Sequence, residues 1–141
     1  MNAKEKAYAI AKALMFDNDA FSKWLGIKIL DLDAGFALLQ MTVRPEMTQG
    51  FGIAHGGITY SLADSALAFA SNAQGKKAVS VETSISHLLA VQSGDVLTAR
   101  ANEESLSNKI GVYQVRIINQ NDQTVALFKG TVYRTSKEWL G

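Results

Sequence analysis

Between Gly56 and Gly75 the chain carries a single charged residue, Asp64. It lies inside GITYSLADSALAFASN (57–72), a run rich in Ala and Leu and long enough for about four helical turns. A helix that is apolar nearly all round belongs in an interior. An unpaired carboxylate there either destabilises the fold or holds its proton through a raised pKa. Asp is also a poor residue for a helix interior. Tyr60, Ser61, Leu67 and Ala68 occupy the i±3 and i±4 positions, so no cation stands within helical reach. Asp64 is read either as part of a polar stripe with Ser61, Ser65 and Ser71 facing water, or as a general base or nucleophile in a semi-dry cleft. The second reading is preferred.

Gly57 precedes Asp64 by seven residues, almost two turns, and shares its helix face. The first amides of a helix have no intrahelical acceptor and sit at the positive end of its dipole. The Gly57 N–H is therefore a candidate donor to a developing oxyanion, an interaction worth about 3 kcal/mol per donor. Two turns separate Gly57 from Asp64 by roughly 10 Å in one chain. One carbonyl cannot reach both, so a dimer pairing Gly57 of one chain with Asp64 of the other is expected. His55, entering the helix, belongs to the candidate catalytic set, either as a catalytic group or, the preferred reading, as a residue orienting the loop by hydrogen bonding; His87 is read as a strand or surface histidine.

Other chemistries lack their residues. There are no cysteines, no HExxH and no Cys/His cluster, so neither a metal nor another cofactor is expected. G-x-S-x-G is absent, and GFGIAH lacks the third glycine of a dinucleotide fingerprint. Arg44, Lys76, Lys77, Lys109 and Lys129 are read as scattered surface charge.

The elements that must position Asp64 follow from turn residues and periodicity. Residues 4–14 show helical apolar spacing (Tyr8, Ile10, Ala11, Leu14), and Asp17 is the expected cap of a second short helix ending near Leu25. Together, 1–25 form an N-terminal arm. The strand IKILDLD follows, with a bulge expected between Ile29 and Leu30, then the Ala34-Gly35 turn and a strand over 36–43. Residues 44–57, with the only proline and four glycines, read as a loop, and the long helix runs from Gly57 to Asn72 with Gly75 as its stop. Val79, Val81, Thr83 and Ile85 then alternate with polar residues in a strand. Turns at 93–95, 105–108 and 119–122 separate three more strands. Two strands, one long helix and four strands make an α+β hotdog fold. A curved antiparallel sheet wraps one central helix, giving a single domain over 1–141 with its core in 26–135. One sheet face over one helix is a thin core, so at least a dimer is expected.

Hydrophobic residues make up 48% and charged residues 19%, which places the chain among globular proteins. Fourteen basic residues nearly balance thirteen acidic ones without a like-charged block, so no electrostatic footprint for nucleic acid exists. Glu5 and Lys12 interrupt the N-terminal apolar pattern, and no run approaches a membrane span. A cytoplasmic protein with no membrane partner is expected.

MTQGFGIAHGGITYSLADSALAFASN, with SGDVLTA and IGVYQVRIINQNDQTVALFKG downstream, resembles the phenylacetate-pathway (PaaI-type) acyl-CoA thioesterases over residues 20–135. The resemblance implies a hotdog homodimer or dimer of dimers that hydrolyses acyl-CoA thioesters. It implies Asp64 as base or nucleophile, Gly57 as the amide polarising the thioester, Gln49 placing water or the carbonyl, and Ser80 near the aspartate. The chain departs from that family at Gln49 and Phe51, where relatives carry Asn and His, and over Ser86–Ala90, which replaces an Asp-Phe-Leu-Arg-Pro-like stretch. Two further readings on the same fold are an acyl-thioester dehydratase and a non-catalytic acyl-CoA sensor. The first needs a histidine paired with an acid in a proline-rich or Asp-x-Asn setting, which is missing. The second needs a DNA-binding domain and has no use for a buried carboxylate.

Overall fold

The computed structural model describes residues 1–141. Helix α1 (Ala3–Ala7) passes into a π-helical segment over Tyr8–Met15, and α2 spans Ala20–Leu25. Strands β1 (Lys28–Asp33) and β2 (Phe36–Thr42) precede α3 (Gly56–Asn72). They are followed by β3 (Lys76–His87), β4 (Val96–Leu106), β5 (Ile110–Ile118) and β6 (Thr124–Glu138). The six strands form one antiparallel sheet in the order β1-β2-β4-β5-β6-β3, curled around α3: the hotdog arrangement.

The period-2 pattern turns one face of each strand inward: Ala37, Leu39 and Met41 from β2, Leu97, Ala99 and Ala101 from β4, Tyr113, Val115 and Ile117 from β5. The small side chains share registers, with Ala37 opposite Ala101 and Leu39 opposite Ala99. They leave depth for the helix, which seats Leu62, Ala63, Ala66, Leu67, Phe69 and Ala70 against them. Gly130 of β6 marks a close approach: a Cβ there would stand 2.5 Å from Leu67 Cδ2. Gly130→Ala is expected to destabilise the chain by about 1–3 kcal/mol through overpacking, read as a lower urea midpoint with an unchanged slope.

Asn72 closes the helix. Its amide donates to the Ala68 and Ala78 carbonyls, and its oxygen accepts from Ala78 N–H and Trp139 Nε1. This ties the end of α3 to the strands on either side.

Three local readings are corrected. The cap of α2 is Asp19, which accepts from Ser22 N–H at 2.9 Å; Asp17 sits in a preceding 3₁₀ turn. The first helix of the arm is α-helical only over Ala3–Ala7. The wider winding that follows carries Leu14 outward, 41% exposed, and turns Met15 and Phe16 towards the core instead. On β3, Val79 and Val81 are 57% and 61% exposed, because a bulge falls between Ser80 and Glu82. The extra residue, Val81, flips the alternation: Ala78 and Ser80 face α3 before it, and Thr83 and Ile85 face α3 after it. The expected bulge in β1 is present, with Leu30 unpaired between Ile29 and Asp31.

The two edges of the sheet differ. The arm packs along β1, where Lys4 meets Asp31 at 2.5 Å and the Leu32 carbonyl at 3.0 Å. Beyond β3, the twelve-residue edge strand, lies no further strand.

Candidate active site

Local sequence builds the start of α3 tightly. Thr48 and Ala54 pair across a narrow loop in which Gly52 takes a left-handed φ of +83°, Gln49 N–H donates to Ile53 O, and Gly52 N–H to Gln49 O. Gln49 Oε1 accepts from Phe51 N–H, which fixes the side chain and leaves its –NH₂ free at a cleft. Ala54 N–H donates to Val91 O and His55 N–H to Met47 O, so the residues before the helix are held on both sides.

His55 is the N-cap. Its Nδ1 accepts the Gly57 N–H at 2.8 Å, the orienting role expected for it. This engages the amide that the spacing to Asp64 marks out for a ligand. The Gly56 N–H, one residue earlier, meets no acceptor within the chain. Gly56 opens on a cleft of about 310 Å³ with Gln49, Thr59 and His87, walled by Leu88, Leu89 and Val125. Gly57 and His55 face a separate hollow with Trp24, Met47 and Ser61.

Asp64, two turns along, lines neither of these. It opens on a cleft of about 230 Å³ with Leu67, Ala68, Ser71, Ala78 and Ser80. The serines of the supposed polar stripe are turned to other partners: Ser65 to Ser22, Ser61 to the Gly57 carbonyl, Ser71 to the Ala68 carbonyl. Asp64 is half-buried and makes no hydrogen bond or ion pair within the chain. Burial alone pushes its pKa up from the ordinary 3.8. The candidates therefore fall into two groups in one chain: Gln49 with the open helix start, and Asp64 with Ser80.

His87 is exposed and ends a strand, as expected, yet its ring lies over Gly56 and contacts Thr59. No local pattern signals this contact, since the two residues are far apart in the chain and only the antiparallel run of β3 against α3 brings them together. Arg44 is occupied structurally: it donates to the Leu25 and Trp24 carbonyls and pairs with Glu46 at 3.0 Å. No group of His, Cys, Asp and Glu is arranged to hold a metal ion. No helix is long and apolar enough to cross a membrane.

Comparison with known proteins places this geometry. The family model described as the Thioesterase superfamily matches residues 51–126, which hold both clefts' helix. The acyl-coenzyme A thioesterase PaaI of Escherichia coli K12 is 45% identical over 129 residues, covering 92% of this chain and 91% of its own. The solved structure of the E. coli PaaI protein from the phenylacetic acid degradation operon superposes with a TM-score of 0.94 at 42% identity, covering 97% and 99% of the two chains. A mutant of the phenylacetic acid degradation protein PaaI from Thermus thermophilus gives 0.80 at 39% identity, over 83% of this chain and 100% of that one. Carrying the same fold, at this identity and across nearly its whole length, the chain belongs to the PaaI-type thioester hydrolases of the thioesterase superfamily.

Proposed function

We propose that this protein hydrolyses an acyl-CoA to the free acid and CoA at sites shared between two subunits. The observation that carries the proposal is the separation of its parts: a half-buried, unpartnered carboxylate in one cleft and an open helix-start amide in another. A two-fold pair that sets Asp64 of one subunit opposite the α3 start of the other unites them. The unpaired edge of β3, with Val79 and Val81 outward, offers the seam. Two such pairs make the dimer of dimers, in the cytoplasm.

The thioester oxygen rests on a helix-start amide while negative charge develops, with Gln49 –NH₂ as second donor. Because His55 holds the Gly57 N–H, we assign this role to Gly56; Gly57 serves only if the His55 ring swings away. Asp64 acts in one of two ways. As base, it takes a proton from water as the water oxygen bonds to the acyl carbon; the C–S bond then breaks and the proton passes to the departing thiolate. As nucleophile, it bonds to the acyl carbon, expels the thiolate, and water cleaves the resulting anhydride. Ser80, on the Asp64 cleft, orients the water.

The test is release of free thiol from a panel of arylacetyl- and straight-chain acyl-CoAs. Turnover of at least one class is expected. A folded, dimeric protein that releases thiol from none would sink the proposal.

A further inference from the structure

One polar atom in the Gly56 cleft has no part in the scheme above. The Thr59 hydroxyl donates to the Gly56 carbonyl at 3.0 Å and lies 3.3 Å from His87 Nδ1. A hydroxyl has one proton to give; with it on the Gly56 carbonyl, Nδ1 is the donor to Thr59, and that tautomer presents an unprotonated Nε2. That nitrogen is 3.2 Å from where a Cβ on Gly56 would stand. It therefore stands beside Gly56 in the cleft onto which that residue opens. Around it the wall is hydrocarbon, from Ile53, Leu88, Leu89, Ala90, Val91 and Val125, with Gln49 and Thr59 as the other polar side chains.

We infer that His87 is a specificity-determining residue that selects acyl chains bearing a hydroxyl on the second or third carbon. The inference rests on the thioesterase reading, with the thioester oxygen on the Gly56 amide. An acyl chain running from that oxygen along the leucine wall passes Nε2 within its first few carbons. An unsubstituted chain covers the lone pair with hydrocarbon and leaves an acceptor unpaired, which is the costly case. A hydroxyl there donates to Nε2 and restores the bond lost to water. Because the ring is exposed rather than sealed, the expected selectivity is about tenfold, not the far larger values of closed polar sites.

The experiment compares kcat/KM for 2- and 3-hydroxybutyryl-CoA with that for butyryl-CoA. Wild type should favour one hydroxylated substrate by about tenfold. His87→Phe should bring the ratio near one, and His87→Gln, whose Oε1 can occupy the Nε2 position, should keep part of it. Nitrogen NMR of the two histidines gives a readout independent of turnover: His55 should carry its proton on Nε2 and His87 on Nδ1. Equal ratios in wild type and His87→Phe, with hydrolysis intact, would overturn the inference while leaving the thioesterase reading standing. A neutral His87 protonated on Nε2 would do the same. No thiol from any of the three, with an arylacetyl-CoA still hydrolysed, would overturn the selectivity alone; no thiol from the arylacetyl- and straight-chain panel either would remove the thioesterase reading as well.

Discussion

Asp64→Asn lowers kcat by roughly 10²- to 10⁴-fold, the range for loss of a positioned base, and does not lower the melting temperature. Few residues combine those two outcomes. Burial raises the Asp64 pKa above the ordinary 3.8, so between that value and the folded one the native chain holds more protons than the unfolded chain. Stability therefore falls as pH rises through that window, and near neutrality the whole unfavourable effect of the desolvated charge is present. Replacing the carboxylate by a neutral amide of similar shape removes that effect. The same shift sets the acid limb of the rate profile. Under the proposed chemistry Asp64 works ionised, so kcat should rise with pH along a limb displaced above the usual carboxylate range. Stopped-flow thiol release across pH and a thermal melt of each variant check both halves. A variant that keeps wild-type turnover would exclude Asp64 from the chemistry, and one that melts much lower would make it a structural residue.

Mixing two inactive variants should restore activity. Asp64→Asn breaks the carboxylate half of the site, and Gly56→Val breaks the helix-start half, since a Cβ at Gly56 meets His87 Nε2 at 3.2 Å and fills the space beside the amide. In a mixed pair, one site inherits both lesions and the other inherits neither. Random re-pairing makes half of the dimers mixed with half their sites whole, so about a quarter of wild-type activity returns from two preparations that each show almost none. Denaturing the mixture and refolding it, then measuring thiol release, tests this directly. Recovery near zero, with mixed dimers demonstrated by mass, would mean that each chain builds its own site. Charging the seam provides the companion case: Val81→Lys, at a residue that lines neither cleft, should weaken the pair and lower turnover with it.

Much of the architecture was legible because it depends on neighbours in sequence. Turn residues placed the strand boundaries, and the slipped alternation at Ile29-Leu30 announced its bulge. The lone charge in an apolar helix pointed to Asp64 for reasons that hold whatever surrounds the helix. The misreadings were of a different kind. The alternation grouped Val79 and Val81 on one face with Thr83 and Ile85, because the pattern says nothing about the bulge that separates the two pairs. Gly57 looked free because the competition for its N–H comes from the ring two residues earlier, whose orientation the loop over 47–54 decides. His87 looked isolated because its neighbours Gly56 and Thr59 reach it only through the sheet. The departure over Ser86–Ala90 now has a place, since part of it walls the Gly56 cleft.

The arm along β1 bears on how many chains can join. A sheet with two bare edges can accept a copy at each and grow head-to-tail into an open filament. Here Lys4 and the first helical turn occupy the outer side of β1, and the Lys4 amine takes up the Leu32 carbonyl. Only the β3 side accepts a strand. Under the proposed pairing along β3, growth by strand addition would stop after one event, and the assembly would close as a finite two-fold one instead of a fibre.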